Sequence, residues 1–185
     1  GRFPVQVSLV NDEGELLAKA SMEVTILDAK LPPQRLIHTK WFHSDCLAQY
    51  YGVEVFSEDY WRIVERQIRL AVRRGINMIL TPIHTPPLDT RVGGERPTVQ
   101  LVDVYQKQGQ YSFGFEKLER WVRMCQGAGM KYFEMAHLFT QWGAGFTPKI
   151  IAEVDGETKR IFGWDVPVGA VSAGVDRGTE TAGHR

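Results

Sequence analysis

The fold class of this chain is best indicated by residues 76–84, INMILTPIH, an apolar run that ends in a histidine. Residues 36–42 and 131–136 are predicted to be strands as well, and they are followed directly by His43 and His137. Short apolar runs bounded by turn residues are typical of buried β-strands. We therefore expect three buried strands, each with a histidine just beyond its C-terminal end.

Two segments with helical periodicity separate these strands. The first begins at Ser57, a favourable N-cap, and ends at Gly75, and the second carries Trp121 on its apolar stripe. Parallel strands joined by helices have their C-terminal ends on one face of the sheet. The long loops, 43–56 and 84–114, lie on that face. We therefore predict an α/β fold, a partial (β/α)8 TIM barrel consisting of its first three strands.

Three β-hairpins are predicted from alternating apolar residues around turn signals. Residues 3–28, with a turn at Asn11–Gly14, should be the last hairpin of a β-sandwich, because an isolated hairpin is only marginally stable in water. Two more hairpins should turn at Gln108-Gly109 and at Asp155-Gly156. We expect these two to stand over the face that carries the strand ends.

The chain divides into three parts in this interpretation. Residues 1–33 are a remnant of an N-terminal β-sandwich with its linker, residues 34–165 are the first part of the barrel, and residues 166–185 are an irregular, poorly ordered tail. A complete barrel needs about 250 residues, and residue 1 of these 185 is Gly rather than Met. The chain is therefore expected to be a piece of a longer protein.

The composition argues against two classes of partner. The chain is 43% hydrophobic and 24% charged, with zero formal net charge and a pI near 7.1. Lys and Arg are not clustered as they are in proteins that bind nucleic acids or anionic membranes. No apolar run approaches the roughly 20 residues that cross a bilayer. We expect no nucleic-acid and no membrane partner, and the sequence indicates neither the localisation nor the oligomeric state.

The predicted site lies at the C-terminal ends of the strands. Titratable side chains there are typical of the active face of a barrel, and flat rings beside polar groups suit a sugar. Trp142, in a glycine-rich loop, is the candidate platform for a sugar ring, and Asp45 is a candidate hydroxyl partner. Trp41, by contrast, is expected in the core. The predicted sugar-binding residues are His43, Asp45, His84, His137 and Trp142.

Other chemistries remain open at this point. Adjacent acid pairs occur at Asp12-Glu13 and Glu58-Asp59, but a hairpin turn and a helix N-terminus account for them. The histidines could instead serve a metal-dependent barrel hydrolase, although such ligand sets usually include a close histidine pair or an added carboxylate. No metal and no other cofactor is predicted.

Four segments resemble the catalytic domain of glycoside hydrolase family 123. They are HTKWFHSDCLA at 38–48, NMILTP at 77–82, AHLFTQWG at 136–143 and FGWD at 162–165. The resemblance extends over roughly residues 3–165. It implies a β-sandwich followed by a (β/α)8 barrel. It also implies retaining hydrolysis of β-linked N-acetylgalactosaminides, in which the substrate's own acetamido oxygen attacks the anomeric carbon.

The resemblance further implies an adjacent Asp-Glu pair on a later strand. The Asp would orient the acetamido group, and the Glu would act as general acid and then as base. No position of this chain matches that pair, so no catalytic residue is assigned and the chain alone is expected to be inactive. A glycan is the implied partner. A non-catalytic carbohydrate-binding protein with the same fold stays an alternative.

Overall fold

The computed structural model divides the chain into two compact units, Gly1–Arg35 and Leu36–Arg185. The residues that it describes are 1–32, 35–86, 94–138, 143, 145–163, 165–167 and 169.

The first unit is a single antiparallel hairpin. Strand β1 (Arg2–Val10) pairs with β2 (Leu16–Thr25) in register from Arg2–Thr25 onwards. The side-chain oxygen of Asn11 accepts hydrogen bonds from the backbone N–H groups of Glu13 and Glu15, and this closes the turn. The predicted hairpin is confirmed. Its apolar side chains are exposed, among them Phe3, Val5, Val7, Leu9, Leu16, Met22 and Val24.

The second unit contains the remaining elements. In chain order they are β3 (Thr39–Lys40), α1 (Ser44–Tyr51), α2 (Glu58–Arg73), β4 (Met78–Thr81), β5 (Asp103–Lys107), β6 (Gln110–Gly114), α3 (Glu116–Ala128), β7 (Tyr132–Met135), β8 (Ile150–Val154) and β9 (Glu157–Phe162).

A three-stranded parallel sheet in the order β3-β4-β7 forms the centre of this unit. The three predicted strands and their parallel arrangement are confirmed. Only β4, however, is buried, with Leu80 fully covered and Ile79 nearly so. The prediction of three buried strands was wrong for β3 and β7, because each pairs with β4 alone within the described chain. Strand β3 also has two residues instead of the seven expected.

Asn77 fastens the three strands together at their N-terminal ends. Its side-chain amide donates to the Leu36 carbonyl at 2.8 Å, and its side-chain oxygen accepts from the His38 backbone N–H at 2.7 Å. Its backbone carbonyl accepts from the backbone N–H groups of Lys131 and Tyr132. A single residue, 8% exposed, therefore bonds to the segments that lead into both β3 and β7.

Helices α2 and α3 cover one face of this sheet. The side chain of Ser57 accepts from the Tyr60 backbone N–H, so the predicted N-cap of α2 is confirmed. Tyr60, Trp61, Val64 and Ile68 from α2 pack with Trp121 and Cys125 from α3 and with Ile79 from β4 in one buried cluster. This cluster is the core that holds the parallel sheet in place.

The loop predicted between β3 and α2 contains a helix. Residues Ser44–Tyr51 form α1, which ends at Gly52 in the left-handed conformation, φ +64°. Asp45 therefore lies in the first turn of a helix, and its predicted position in a loop was wrong. An acidic residue in a first helical turn is favoured by the helix dipole, a signal that the sequence did contain.

The two later hairpins turn where the sequence predicted, at Gln108-Gly109 and at Asp155-Gly156. They are not separate structures, because β5 pairs in parallel with β8 through the register Tyr105–Glu153. The result is a four-stranded sheet in the order β6-β5-β8-β9. The backbone N–H of Asp155 also donates to the Gln106 carbonyl at 3.0 Å, so one hairpin supports the turn of the other.

The described elements make a mixed α/β structure, as predicted, and they do not close into a barrel. Within the described ranges no helix has the length and apolar character needed to cross a membrane. The first residues of the predicted irregular tail are ordered, since the Thr147 backbone N–H donates to the Val166 carbonyl and Pro167 forms a bridge with Phe146. Most of that tail, residue 168 and residues 170–185, lies outside the described residues.

Replacing Asn77 with alanine should lower the free energy of unfolding by about 2 kcal/mol, because the His38 N–H and the Leu36 carbonyl lose their partners. Urea-induced unfolding followed by tryptophan fluorescence measures this loss. The same substitution at Asn11, whose side-chain hydrogen bonds are exposed to solvent, is the matched control and should cost much less. Equal losses at the two positions would contradict the fastening role of Asn77.

Candidate functional site

The three histidines lie where the parallel strands end. His43 directly precedes α1, His84 follows β4, and His137 follows β7. Because Thr81 of β4 is in register with Met135 of β7, the chain segments that carry His84 and His137 leave the sheet side by side. His84 is buried, at 4% exposed, whereas His43 and His137 are half-buried.

A hydrogen bond joins two of these strand ends. The Nε2 atom of His84 lies 2.9 Å from the backbone carbonyl oxygen of His137. Since a carbonyl oxygen only accepts, Nε2 carries the proton in this bond. The neutral ring then presents Nδ1 as its acceptor. The bond therefore fixes both the tautomer and the orientation of the His84 ring.

Burial keeps the His84 ring neutral. Desolvation lowers the pKa of His84 below its ordinary value of 6.5. The hydrogen bond to the His137 carbonyl opposes this shift, and the positive charge that His137 can carry adds to it. At neutral pH His84 is therefore a hydrogen-bond acceptor at Nδ1 and is not a cation.

Asp45 forms a buried ion pair with Arg96, in the segment that follows β4. Arg96 donates from Nε to Asp45 Oδ2 at 2.8 Å and from Nη2 to Asp45 Oδ1 at 3.1 Å. The side chain of Arg96 is only 14% exposed, and that of Asp45 only 3%. A carboxylate that accepts two hydrogen bonds from one guanidinium is held in a fixed plane. The pair locks α1 to residues 94–102.

A second, larger group of charges continues from the residue beside Arg96. Glu95 lies 2.7 Å from Arg160 and 3.7 Å from Lys149, and Arg160 also pairs with Asp165 at 2.9 Å. Lys149 in addition donates to the backbone carbonyl of Arg96. The segment after β4 is thereby tied to β9, to the residue that precedes β8 and to α1.

Trp41 is exposed, and the prediction that it is a core residue was wrong. More than half of its surface, 55%, is accessible. Its indole N–H donates to Glu134 Oε1 at 3.3 Å, and its ring centroid lies 6.4 Å from that of His137. The sequence held one signal for this position, because Trp41 stands two residues after Thr39 and two residues before the strand-end His43. In an extended chain, residues two positions apart point to the same side.

Glu134 is a further polar residue that the predicted site did not include. It lies on β7, as its sequence position indicated, and its second oxygen accepts from the Thr39 hydroxyl at 2.7 Å. Strands β3 and β7 both pair with β4, so in a flat sheet they would be about 10 Å apart. Direct contact between their side chains across β4 means that the sheet is concave on this face.

The structure thus brings His84, His137, Trp41 and Glu134 together, and it places Asp45 in a nearby ion pair. The predicted sugar platform, Trp142, lies outside the described residues. Within the described part of the chain no group of three or more His, Cys, Asp or Glu residues is arranged to hold a metal ion.

Comparisons with known proteins identify a family for this chain. The model of the glycoside hydrolase 123 catalytic domain matches residues 41–171, which is well over half of the chain. The match includes all three strand-end histidines, Asp45 and Arg96. No curated protein matches the chain at a significant level.

Acidification should destabilise the protein through His84. The unfolded chain takes up a proton at the ordinary pKa of 6.5, whereas the folded chain resists it. The stability that depends on a neutral His84 is therefore fully present above pH 6.5. It decreases as the pH falls from 6.5 towards the lowered pKa of His84 in the folded state. Urea unfolding at about pH 7.5 and about pH 5 should show this loss in the wild-type protein.

The variant His84→Gln should lose less stability over the same interval, because an amide can still donate to the His137 carbonyl but does not titrate. His38→Gln is the matched control and should keep the full dependence on pH that His84 confers. A pH dependence that is unchanged in His84→Gln would refute the assignment of this effect to His84.

Asp45→Asn should destabilise the protein by about 3 kcal/mol, because it removes the negative charge from a buried ion pair while the positive charge of Arg96 stays in place. Thermal or urea unfolding measures this change. Glu119→Gln, which disrupts an exposed pair with Arg123 on α3, is the control and should have little effect. If the two substitutions had similar effects, the ion pair of Asp45 would not be a structural lock.

Proposed function

The chain belongs to glycoside hydrolase family 123, and we propose that it forms part of a retaining β-N-acetylgalactosaminidase that acts on glycans. The family is shown by the match over residues 41–171. The observation that carries the proposal for this chain is the bond between His84 and the His137 carbonyl, which sets an acceptor nitrogen at the ends of the parallel strands.

We propose that residues 34–165 are the first part of a (β/α)8 barrel with three of its strands. Two features support this: the parallel order β3-β4-β7, and the concave face on which Thr39 contacts Glu134 across β4. Concave parallel sheets covered by helices on the other face are typical of barrels. The exposed apolar side chains of the hairpin Gly1–Arg35 support its proposed place in a β-sandwich with further strands.

In the proposed site, side chains at the strand ends hold the sugar. Nδ1 of His84 would accept a hydrogen bond from a sugar hydroxyl, and the half-buried rings of His43 and His137 would contact its rim. Trp41 and Trp142 are the candidate platforms for the apolar face of the sugar. Asp45 is proposed to act through Arg96 and not directly on a hydroxyl, because its carboxylate is buried and accepts both hydrogen bonds from that side chain.

The reacting groups are proposed to come from elsewhere in the enzyme. The substrate's acetamido oxygen would attack the anomeric carbon, oriented by an Asp, while a neighbouring Glu protonates the leaving oxygen and later activates water. The two acid pairs of this chain have other roles, since Glu58 pairs with Arg120, Asp59 pairs with Arg62, and Asp12-Glu13 lies in a hairpin turn. A metal-dependent hydrolase finds no specific support among the described residues.

The full-length enzyme should hydrolyse an aryl β-N-acetylgalactosaminide, whereas the chain 1–185 alone should not. In the full-length enzyme, Trp142→Ala should reduce kcat/KM by the equivalent of roughly 1–3 kcal/mol, as expected for the loss of a stacked, desolvated contact. Trp41→Ala should have a similar effect, because its ring lies beside His137 on the concave face.

Trp121→Phe in the core serves as the control for folding, and the thermal midpoint of each variant separates misfolding from loss of binding. Turnover by the isolated chain would contradict the proposal that the catalytic Asp-Glu pair lies outside it. A full-length protein that binds the sugar without hydrolysing it would make the carbohydrate-binding alternative the correct one. Unchanged kcat/KM in both Trp41→Ala and Trp142→Ala would remove them from the site.

A further inference from the structure

A cavity of about 260 Å³ lies between the four-stranded sheet and the N-terminal ends of α2 and α3. It contains none of the strand-end histidines, and all the residues that line it are described. Its volume is just below the 300–1,000 Å³ of typical small-molecule sites, so that it matches a single ring-sized group. The cavity is partly open to solvent and has both polar and apolar walls.

A row of three polar side chains crosses the floor of this cavity. Tyr105 of β5 is in register with Glu153 of β8, and Glu153 is in register with Thr158 of β9. Residues in register project from the same face of a sheet, and neighbouring strands are about 4.8 Å apart. A phenol, a carboxylate and a hydroxyl are therefore set out in a line whose spacing is comparable with the width of a pyranose ring.

The opposite wall consists of Phe56 and Lys117. The ammonium group of Lys117 lies 5.1 Å from the centroid of the Phe56 ring, and it also pairs with Asp103. Phe56 has a positive φ of +68°. Bulky residues rarely adopt this conformation, and strained backbone of this kind concentrates at ligand sites. The strained position brings an aromatic ring to the cavity wall.

Gly114 of β6 leaves room for the side chains on this floor. A Cβ atom at Gly114 would lie 3.2 Å from the Asp103 side chain and 3.3 Å from the Tyr105 ring. With any other residue at this position, these side chains would have to shift by a few tenths of an ångström. Glu153 is exposed and forms no ion pair with any described residue, so its carboxylate is available to a ligand.

We propose that this cavity is a second sugar-binding site, which takes one neutral pyranose unit of a glycan. Glu153 and Asp103 accept hydrogen bonds from hydroxyls, and Lys117 and Tyr105 donate them. The apolar part of the lining, which includes Val104 and Ile151, contacts the C–H groups. The inference deepens the proposed function, on which its choice of a glycan rests. The enzyme would hold its substrate at two places, one at the strand ends and one on the four-stranded sheet.

Titration of the ¹⁵N-labelled full-length protein with methyl β-N-acetylgalactosaminide tests this proposal by nuclear magnetic resonance. The amide signals of Tyr105, Gly114 and Glu153 report on the cavity, and those of His84 and His137 report on the strand ends. We expect both sets to shift, with separate dissociation constants. Glu153→Gln and Tyr105→Phe should each weaken binding at the cavity by about fivefold, as for the loss of one hydrogen bond.

Both variants keep the shape of the side chain, so the fold is retained and binding at the strand ends should stay unchanged. Glu157→Gln is the matched control, because Glu157 lies on the adjacent strand and pairs with Lys159 outside the cavity lining. If only the cavity signals shift, the second site stands and the proposed site at the strand ends fails. Cavity signals that do not shift, or binding there that Glu153→Gln does not weaken, would overturn the second site.

Discussion

The parallel sheet depends on the hydrogen bonds of Asn77, which fix the relative positions of three strands at their N-terminal ends, opposite the end that carries His43, His84 and His137. Two of its bonds go to residues 39 and 41 positions earlier in the chain, and its carbonyl bonds to the start of β7. Successive side chains of a strand point to opposite faces of the sheet. A shift of one residue at this point would therefore turn each side chain to the other face. The register that Asn77 sets at the N-terminal ends of the strands therefore determines that His84 and His137 meet at the opposite ends.

The long segments that follow the strands obey a different constraint. They are held by charges, with Asp45–Arg96 joining α1 to the segment after β4, and Glu95, Lys149 and Arg160 joining that segment to the second sheet. The Asp45–Arg96 pair is buried, whereas Glu95 and Arg160 are partly exposed. A buried ion pair is a poor source of net stability but is costly to break. Such a network defines the arrangement of the loops, while the apolar cluster around Trp121 and Ile68 supplies the stability.

Local signals predicted the elements, and non-local contacts were the ones missed. Ser57 as an N-cap and Asp155-Gly156 as a turn are determined by residues within a few positions, and both were predicted correctly. The pairing of β5 with β8 and the bond between Asp45 and Arg96 join residues about 50 positions apart, which no local pattern encodes. The prediction for Trp41 was wrong because a core position is the usual one for an aromatic residue beside a strand. The sequence alone does not show on which face of the sheet the residue lies.

The protonation state of His84 bears on which groups can carry out the proposed reaction. With Nε2–H held by a carbonyl and the pKa lowered by burial, the ring has no proton to give at Nδ1 near neutral pH. A general acid needs a transferable proton and a pKa near the working pH. His84 is suited to accept a hydrogen bond from a hydroxyl group, and it is not suited to act as the acid that protonates a leaving group. This chemistry removes His84 as a candidate general acid, and it agrees with the proposed division, in which this chain positions the sugar and carboxyls from elsewhere carry the proton transfer.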